Sequence, residues 1–268
     1  NNAMFDLNQF SLKDKVALVT GGGRGIGQAI AFGFARAGAK VAITSRKAPD
    51  LEATACQMED VGCETLVIPA HLGKFDEIQR VVDTVLQKFG RLDILVNNAG
   101  ASPAIASVLD TDERLWETIM NVNLKGVYFM SQAAAKVMKK QGGGKIINIA
   151  SIDGVNPEPG VSVYSVSKAG VRQISRAFAM ELARDNIQVN TILPGPIETK
   201  MLNSHWFHLT PEEAAKEREK LCAHLPTCRI GHPDEIAGAA IYLASEASSY
   251  TSGTEIIVDG ALLLGTHL

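Results

Sequence analysis

Short apolar segments without polar alternation constrain the fold of this 268-residue chain more than any other feature. The first of them, Val16-Ala-Leu-Val-Thr20, is followed by a helical pattern over residues 25–37, and this succession recurs along the chain. Strands that lack alternation are buried on both faces of a sheet, and strands separated by helices pair in parallel. The sequence therefore predicts an α/β fold, in which a doubly wound sheet of about seven parallel strands carries helices on both faces.

The predicted elements follow one another without a linker rich in Pro, Gly or Ser. The strands are predicted at residues 16–20, 41–44, 65–68, 93–96, 145–149, 187–192 and 255–258, and the helices at 25–37, 51–61, 75–89, 111–139, 164–184 and 234–244. We expect a single domain over 12–268 and an N-terminal extension over 1–11, in which Asn1-Asn2-Ala3 resembles a cloning remnant. The longest stretch without a strand includes 195–232, which we expect to form a substrate lid.

Composition narrows the classes of function, since a net charge of −3 favours neither nucleic acid nor an anionic membrane as a partner. No apolar run approaches the ~20 residues of a membrane-spanning helix. No basic-then-apolar leader opens the chain, and the four cysteines form no Cys-x-x-Cys pair, so we expect a cytoplasmic protein with reduced thiols. His205, His208, Cys222, His224 and Cys228 match no common zinc spacing, so no metal site is predicted.

A glycine-rich loop, Thr20-Gly-Gly-Gly-Arg-Gly-Ile-Gly27, lies between the first predicted strand and the first predicted helix. Glycines allow the backbone to turn sharply and to approach a diphosphate, and a helix N-terminus offers free N–H groups. We therefore expect a dinucleotide site formed by Gly21, Arg24, Gly25, Ile26 and Gly27. A plain strand-to-helix turn is the alternative.

The end of the second predicted strand indicates which dinucleotide binds. An acidic residue there would bind the ribose 2′-hydroxyl of NAD, but the chain reads Thr44-Ser45-Arg46-Lys47, with no acid before Asp50. Arg46 can pair with a 2′-phosphate, and Arg24 can approach the same phosphate from the glycine loop. The sequence therefore favours NADP(H) over NAD(H), unless Arg46 is an ordinary surface charge.

A tyrosine and a lysine, Tyr164 and Lys168, are four residues apart on a predicted helix, and Ser151 lies thirteen residues before Tyr164. Positions i and i+4 share one helix face, so the phenol and the ammonium group lie side by side. A neighbouring cation favours the phenolate, so we expect the pKa of Tyr164 to fall below its usual value of about 10. Such a tyrosine can exchange a proton with an alcohol or carbonyl oxygen. The alternative is a surface pair.

Five motifs together resemble the short-chain dehydrogenase/reductase family, in its compact single-domain branch, over about residues 12–260. They are the glycine loop, Asn97-Asn-Ala-Gly100, Asn123 within Asn-Val-Asn-Leu-Lys-Gly, the set Ser151, Tyr164 and Lys168, and Pro194-Gly-Pro-Ile-Glu-Thr199. The resemblance implies a Rossmann-type NAD(P)-binding oxidoreductase domain. Ser45-Arg-Lys47 and His71-Leu-Gly-Lys74 look more narrowly like NADPH-dependent carbonyl and retinol reductases of the family.

The resemblance also implies a role for each residue. Tyr164 is the acid/base, Ser151 hydrogen-bonds the substrate oxygen, and Lys168 lowers the pKa of Tyr164 and holds the nicotinamide ribose. Asn123 holds a water in a proton relay from Lys168. The remaining implied coenzyme contacts lie at the ends of later strands: Ser45, His71, Leu72, Asn98, Ile197 and Thr199. Each of three residues could instead have a purely structural role: Ser151 could cap the end of a strand, Asn123 could lie at a helix kink, and Asn98 could be a turn residue.

Two stretches depart from the family's pattern. Pro69-Ala-His71-Leu72 stands where members often have an acid or amide that contacts adenine, although His71 can still make one hydrogen bond. Near the C-terminus, this chain has Asp259-Gly260-Ala261 where many family members have Asp-Gly-Gly. We expect this difference to affect packing rather than chemistry.

The expected activity is hydride transfer between NADP(H) and a carbonyl compound or secondary alcohol, and a non-catalytic nucleotide sensor is the alternative. Apolar lid residues such as Met201, Leu202 and Trp206 suit an apolar substrate, or they pack the lid onto the body. Family members are homotetramers or homodimers joined through the helices after strands four and five and through the last strand. The apolar residues Val122, Phe129 and Ala133 of the helix predicted at 111–139 are compatible with such a subunit contact. They are equally compatible with a helix that is buried in the core.

Overall fold

A computed structural model of the chain describes residues 6–265, apart from the side chain of His205. The cloning remnant predicted at residues 1–3 and the C-terminal Thr266-His-Leu268 lie outside the described residues. Within this range, the fold is built around one sheet whose strands are all parallel.

The sheet has seven strands in the order β3-β2-β1-β4-β5-β6-β7, which confirms the predicted fold class. The strands are β1 (Val16–Thr20), β2 (Lys40–Ser45), β3 (Thr65–Pro69), β4 (Ile94–Asn97), β5 (Gly144–Ile149), β6 (Ile187–Pro194) and β7 (Glu255–Val258). The order reverses between β1 and β4, because the chain runs outward from β1 to β3 and then crosses back. A reversal of this kind leaves a crevice at the carboxyl ends of the two central strands.

Helices cover both faces of the sheet. They are α1 (Gly25–Arg36), α2 (Ala48–Glu59), α3 (Phe75–Phe89), α4 (Glu113–Met120), α5 (Val127–Lys140), α6 (Ser162–Leu182), α7 (Lys200–Asn203), α8 (Pro211–His224) and α9 (Asp234–Ala244). Side chains of α1, α2 and α9, such as Phe34, Leu51 and Ile236, form one buried cluster against the sheet. Side chains of α3 and α5, such as Val82 and Met130, form the other. The five central strands are therefore largely buried from both sides, as their apolar sequence predicts, whereas the edge strands β3 and β7 are partly exposed.

The helix predicted at 111–139 is not α-helical throughout. A π-helical segment, Asn121–Gly126, separates α4 from α5. Gly126 approaches the loop after β3 closely, since a Cβ there would lie 2.7 Å from Leu72 O. On α5, Ala133 is buried and Phe129 packs against the same core cluster, so these two apolar residues face the core.

The segment from 195 to 232 contains two helices that the sequence prediction did not resolve. One is the short α7, and the other is α8, which begins with a capping box: Thr210 Oγ1 accepts from the Glu213 N–H, and the Glu213 carboxylate accepts from the Thr210 N–H. Pro211 occupies the first turn, where its missing N–H has no cost. α8 contains no buried side chain.

Across residues 6–265, no helix combines the length and the apolar character that crossing a membrane requires.

Candidate active site

A cavity of about 930 Å³ opens at the carboxyl ends of the strands, at the reversal between β1 and β4. Its lining includes residues that follow six of the strands, from Gly21 after β1 to Ile197 after β6. α7 and α8 contribute a further wall, which includes Leu202 and Leu221. All the residues predicted for catalysis or coenzyme binding line this cavity except Gly27 and Asn123, which lie directly behind its wall.

The glycine loop has the backbone geometry that the sequence predicts. Gly21 and Gly25 have φ angles of +67° and +56°, in the left-handed region that favours glycine. A Cβ at Gly27 would lie 2.3 Å from both Gly21 O and Asn98 Nδ2, so only glycine fits there. Arg24 precedes α1 without capping it through a side-chain hydrogen bond, which leaves the first N–H groups of a twelve-residue helix to a ligand. These residues fit a dinucleotide diphosphate.

Thr20 and Asn98 fasten the loop after β4 to the glycine loop. Thr20 Oγ1 accepts from the N–H groups of Asn98 and Ala99 at 2.9 and 3.0 Å and donates to Val96 O at 3.2 Å. Asn98 Nδ2 donates to Thr20 O at 3.0 Å and to Gly21 O at 3.3 Å. Asn98 therefore fixes the walls of the predicted coenzyme site, and Thr20, to which the sequence prediction gave no role, assists it.

Polar groups lie at the end of the cavity formed by β2 and β3. Ser45, Arg46 and Arg24 line it, and both arginines are exposed. Neither guanidinium forms an ion pair with another residue in the described part of the chain. His71 accepts from the Gly73 N–H through Nδ1 at 3.1 Å, which leaves Nε2 for a ligand, and Leu72 beside it is buried.

Ser151, Tyr164 and Lys168 meet at the centre of the cavity. Ser151 follows β5 and accepts from the Asp153 N–H at 3.1 Å, whereas Tyr164 and Lys168 lie one turn apart on α6. Lys168 is buried, its Nζ donates to Ile149 O at 2.8 Å, and it lies 5.6 Å from the centre of the Tyr164 ring. The predicted juxtaposition of phenol, ammonium and hydroxyl is therefore present.

The electrostatics of this group differ from the expectation in one respect. Burial, and then the charge of Asp153, raise the pKa of Tyr164 above its usual value, while Ser151 acts in the opposite direction. Burial also lowers the pKa of Lys168 to about 8, against the opposing charge of Asp153. The expectation that the pKa of Tyr164 falls below its usual value is therefore wrong for this structure, because burial raises it.

Asn123 lies in the π-helical segment and is fully buried. Its Oδ1 accepts from the Ala101 N–H at 2.7 Å, and its Nδ2 donates to Ala101 O at 2.9 Å and to Ser167 Oγ at 3.1 Å. A Cβ placed on Gly100 would lie 3.7 Å from both Asn123 Oδ1 and Lys168 Nζ. Glycine at this position thus keeps a space open between the two groups.

The loop after β6 brings Ile197 and Thr199 to the opposite side of the cavity. Ile197 is buried, and Thr199 Oγ1 caps α7 by accepting from the Leu202 N–H at 3.3 Å. A Cβ on Gly25 would lie 3.2 Å from Thr199 Cγ2, so this loop contacts the glycine loop. The site is therefore enclosed between the loops after β1 and β6.

The cavity has charged residues to which the sequence prediction assigned no site role. Burial, and then Glu158, raise the pKa of Asp153 to about 6. Lys220 and His224 line the cavity from α8. The Thr210-Pro-Glu-Glu213 start signal indicates where that helix begins, although it does not reveal which face of the helix lines the cavity.

Comparison with known proteins identifies the family. A family model described as enoyl-(acyl carrier protein) reductase matches residues 21–262. Human dehydrogenase/reductase SDR family member 4 is 35% identical over 249 residues, which cover 93% of this chain and 87% of the human protein. The chain belongs to the short-chain dehydrogenase/reductase family. It is therefore an oxidoreductase of a family that uses NAD(P), as the five motifs imply.

Two solved structures of short-chain dehydrogenases/reductases resemble this chain over nearly its whole length. A gluconate 5-dehydrogenase from Burkholderia cenocepacia, in complex with NADP and tartrate, is 35% identical, with a TM-score of 0.89 and coverage of 97% of this chain and 99% of that one. A 7α-hydroxysteroid dehydrogenase in complex with NADH and 7-oxo glycochenodeoxycholic acid is 33% identical, with a TM-score of 0.89 and 99% coverage of both chains. Equally similar members of this family thus bind different coenzymes and different substrates.

Proposed function

We propose that this protein transfers hydride between NADP(H) and a carbonyl compound or secondary alcohol, with Tyr164 as the acid/base. The observation that carries the proposal is the single cavity in which Ser151, Tyr164 and Lys168 lie between the glycine loop and the loop after β6. The bound nicotinamide supplies or accepts the hydride. The chain's own residues bind and orient the reactants and move the proton.

Tyr164 acts as the proton donor in the reductive direction. Its raised pKa keeps the hydroxyl protonated at neutral pH, which is the state that a proton donor needs. Ser151 donates a second hydrogen bond to the carbonyl oxygen, so that charge developing on this oxygen is stabilised as the proton moves. The Lys168 ammonium, 5.6 Å from the ring centre, stabilises the phenolate that is left.

The phenolate is reprotonated from the side of Lys168. In this proposal a water lies beside Gly100, where a Cβ would be 3.7 Å from both Lys168 Nζ and Asn123 Oδ1, and the two groups are its partners. Asn123 has one acceptor position left after its three hydrogen bonds, which suits this role. The two hydrogen bonds between the Asn123 side chain and the Ala101 backbone also hold the loop after β4 in place.

Replacement of Tyr164 by phenylalanine tests the mechanism. Tyr164→Phe should retain NADPH binding, measured by fluorescence titration, and lose roughly 10²–10⁴-fold in turnover of a panel of aliphatic, alicyclic and aryl ketones. Tyr242→Phe is the matched control, because the Tyr242 hydroxyl pairs with Thr251 Oγ1 and does not line the cavity. Full activity of Tyr164→Phe would overturn the mechanism. If the wild type binds NADPH tightly but turns over no ketone or secondary alcohol, the nucleotide sensor becomes the better assignment.

The preference for NADP(H) rests on Arg46 and Arg24, which line the cavity at the end of β2 without an ion-pair partner among residues 6–265. A charge-assisted bond to a phosphate contributes about 1.5–3 kcal/mol. Arg46→Gln should therefore weaken NADPH binding about tenfold or more and leave NADH binding unchanged. Exposed Lys13 offers the control Lys13→Gln. A wild-type protein that binds NADH more than tenfold better than NADPH would refute the preference.

Three further expectations extend the proposal. The segment 195–232 is the substrate lid of a single domain over 12–268, and its residues Leu202, Trp206 and Leu221 line the cavity. The protein assembles as a homotetramer or homodimer, for which Trp116, Tyr128 and Ile257 offer exposed apolar side chains on α4, α5 and β7. Sedimentation equilibrium tests the assembly, and cell fractionation tests the cytoplasmic location.

A further inference from the structure

The helix α8 forms a wall of the cavity although it is weakly attached to the rest of the protein. Glu217, Lys220, Leu221 and His224 of this helix line the cavity, yet none of its side chains is buried. Its capping box and the Lys220–Glu217 pair are internal to the segment. Apolar contact alone therefore does little to hold this wall in place.

One ion pair joins α8 to the body. Arg218, next to Glu217, pairs with the carboxylate of Glu198. Among residues 6–265, with the His205 side chain set aside, no other side-chain hydrogen bond or ion pair connects α8 to a residue before Thr210 or after Leu225. Arg218 lowers the pKa of Glu198, so the carboxylate stays charged through the neutral range.

Glu198 lies in the loop that faces the predicted nicotinamide position. Its neighbours Ile197 and Thr199 both line the cavity, whereas the Glu198 side chain also accepts from Asn203 Nδ2 of α7 at 2.9 Å. Thr199 itself has extended backbone angles, with φ of −141° and ψ of 161°, and directly precedes α7. The backbone of the loop is held in turn by the Glu198 N–H, which donates to Gly231 O at 2.8 Å.

We infer that Glu198 and Arg218 are positioning residues that couple coenzyme binding to the placement of the substrate wall α8. The inference rests on the proposed function, in which Ile197 and Thr199 hold the nicotinamide. A ligand that orders this loop fixes the Glu198 carboxylate, and the carboxylate holds α7 through Asn203 and α8 through Arg218. By linkage, ordering of α8 strengthens coenzyme binding by the same factor.

Hydrogen–deuterium exchange of α8 with and without NADPH tests the coupling. In the wild type, NADPH should slow exchange over residues 211–224 at least threefold. In Arg218→Met, which keeps the apolar stem, and in Glu198→Gln, this slowing should disappear. NADPH binding should weaken by about two- to fivefold in either variant, the range expected for an exposed ion pair. The double variant should bind NADPH no worse than either single one, and Arg218→Lys should restore part of the slowing.

The matched control is Lys139→Met, which removes the exposed pair that Lys139 of α5 forms with Asp185 at 2.9 Å. It should leave both the exchange of α8 and NADPH binding unchanged. If Arg218→Met keeps the NADPH-induced slowing of exchange, the inference is overturned and the proposed function stays intact. The same conclusion follows if the wild type binds NADPH but shows no slowing of exchange in α8. Failure of the wild type to bind NADPH would overturn both.

Discussion

The two sides of the cavity are built differently. On the side that we propose for the coenzyme, Gly27 has no space for one more carbon atom. There Thr20 and Asn98 connect the carboxyl ends of β1 and β4 through five hydrogen bonds. On the substrate side, α8 has no buried side chain and is attached through Arg218. In the proposed function, a fixed coenzyme site beside a weakly packed wall would allow the substrate side to vary without disturbing the chemistry. The different substrates named for its relatives agree with that division.

A single methyl group added to the coenzyme side should have the largest effect. In Gly27→Ala the new Cβ meets Gly21 O and Asn98 Nδ2 at 2.3 Å, and the backbone oxygen cannot move aside without opening the loop. We expect a loss of about 3 kcal/mol or more in the free energy of unfolding, together with loss of NADPH binding.

The matched control for that substitution is Gly238→Ala, in the middle of α9, where a new Cβ meets nothing within 4 Å. Because alanine favours a helix over glycine, this variant should gain about 0.5–1 kcal/mol. Thermal unfolding of both variants checks the prediction. A Gly27→Ala protein as stable as the wild type would show that the coenzyme side is less tightly packed than its geometry indicates.

Truncation of one side chain on each side sharpens the comparison. Ile43 of β2 is fully buried, so Ile43→Ala should cost about 2–5 kcal/mol in denaturant unfolding. Leu221 of α8 is half-buried, so Leu221→Ala should cost less than about 1 kcal/mol and should change KM rather than stability. Equal losses of stability would mean that α8 packs as firmly as the core.

A carboxylate on the substrate side should give an effect that depends on pH. The pKa of Asp153 is raised from 3.8 to about 6 in the folded protein, so ionisation costs stability as the pH rises through this interval. Removing the charge in Asp153→Asn should therefore stabilise the protein at pH 7.5, by at most about 3 kcal/mol, and should have no such effect below pH 4.

Urea unfolding at the two pH values measures this difference, with exposed Asp60→Asn as the control. A stabilisation that persists unchanged at low pH would assign the effect to packing instead of charge.

The sequence predicted those parts of the molecule that depend on local pattern. β1 and β7 have the predicted boundaries, because turn residues flank their apolar runs, and the glycine loop has the predicted backbone. Ser151, Tyr164 and Lys168 were predicted to meet because helix spacing fixes two of them. Homo-oligomer formation, the NADP(H) preference and the residue roles stay predictions.

What the sequence could not predict depends on distant contacts. The π-helical segment between α4 and α5 lies where Gly126 approaches Leu72 and where Asn123 binds Ala101, which lies 22 residues away. The pKa of Tyr164 depends on how deeply α6 is buried, which spacing along one helix does not reveal. α8 was missed for a different reason, since its start signal was present at Thr210 but its helix is too polar to show an apolar stripe.

The π-helical segment also changes which side chains share a surface. A regular helix turns about 100° per residue, so Trp116 and Tyr128, twelve residues apart, would point about 120° away from each other on an unbroken helix. A π segment accommodates about one extra residue, which brings the two directions to within about 20°. Both residues are exposed, at 45% and 41% of their full areas, which agrees with a shared surface. Asn121–Gly126 thus acts as a one-residue insertion in the helix. Deleting one residue there should rotate Trp116 and Tyr128 away from each other around the helix axis.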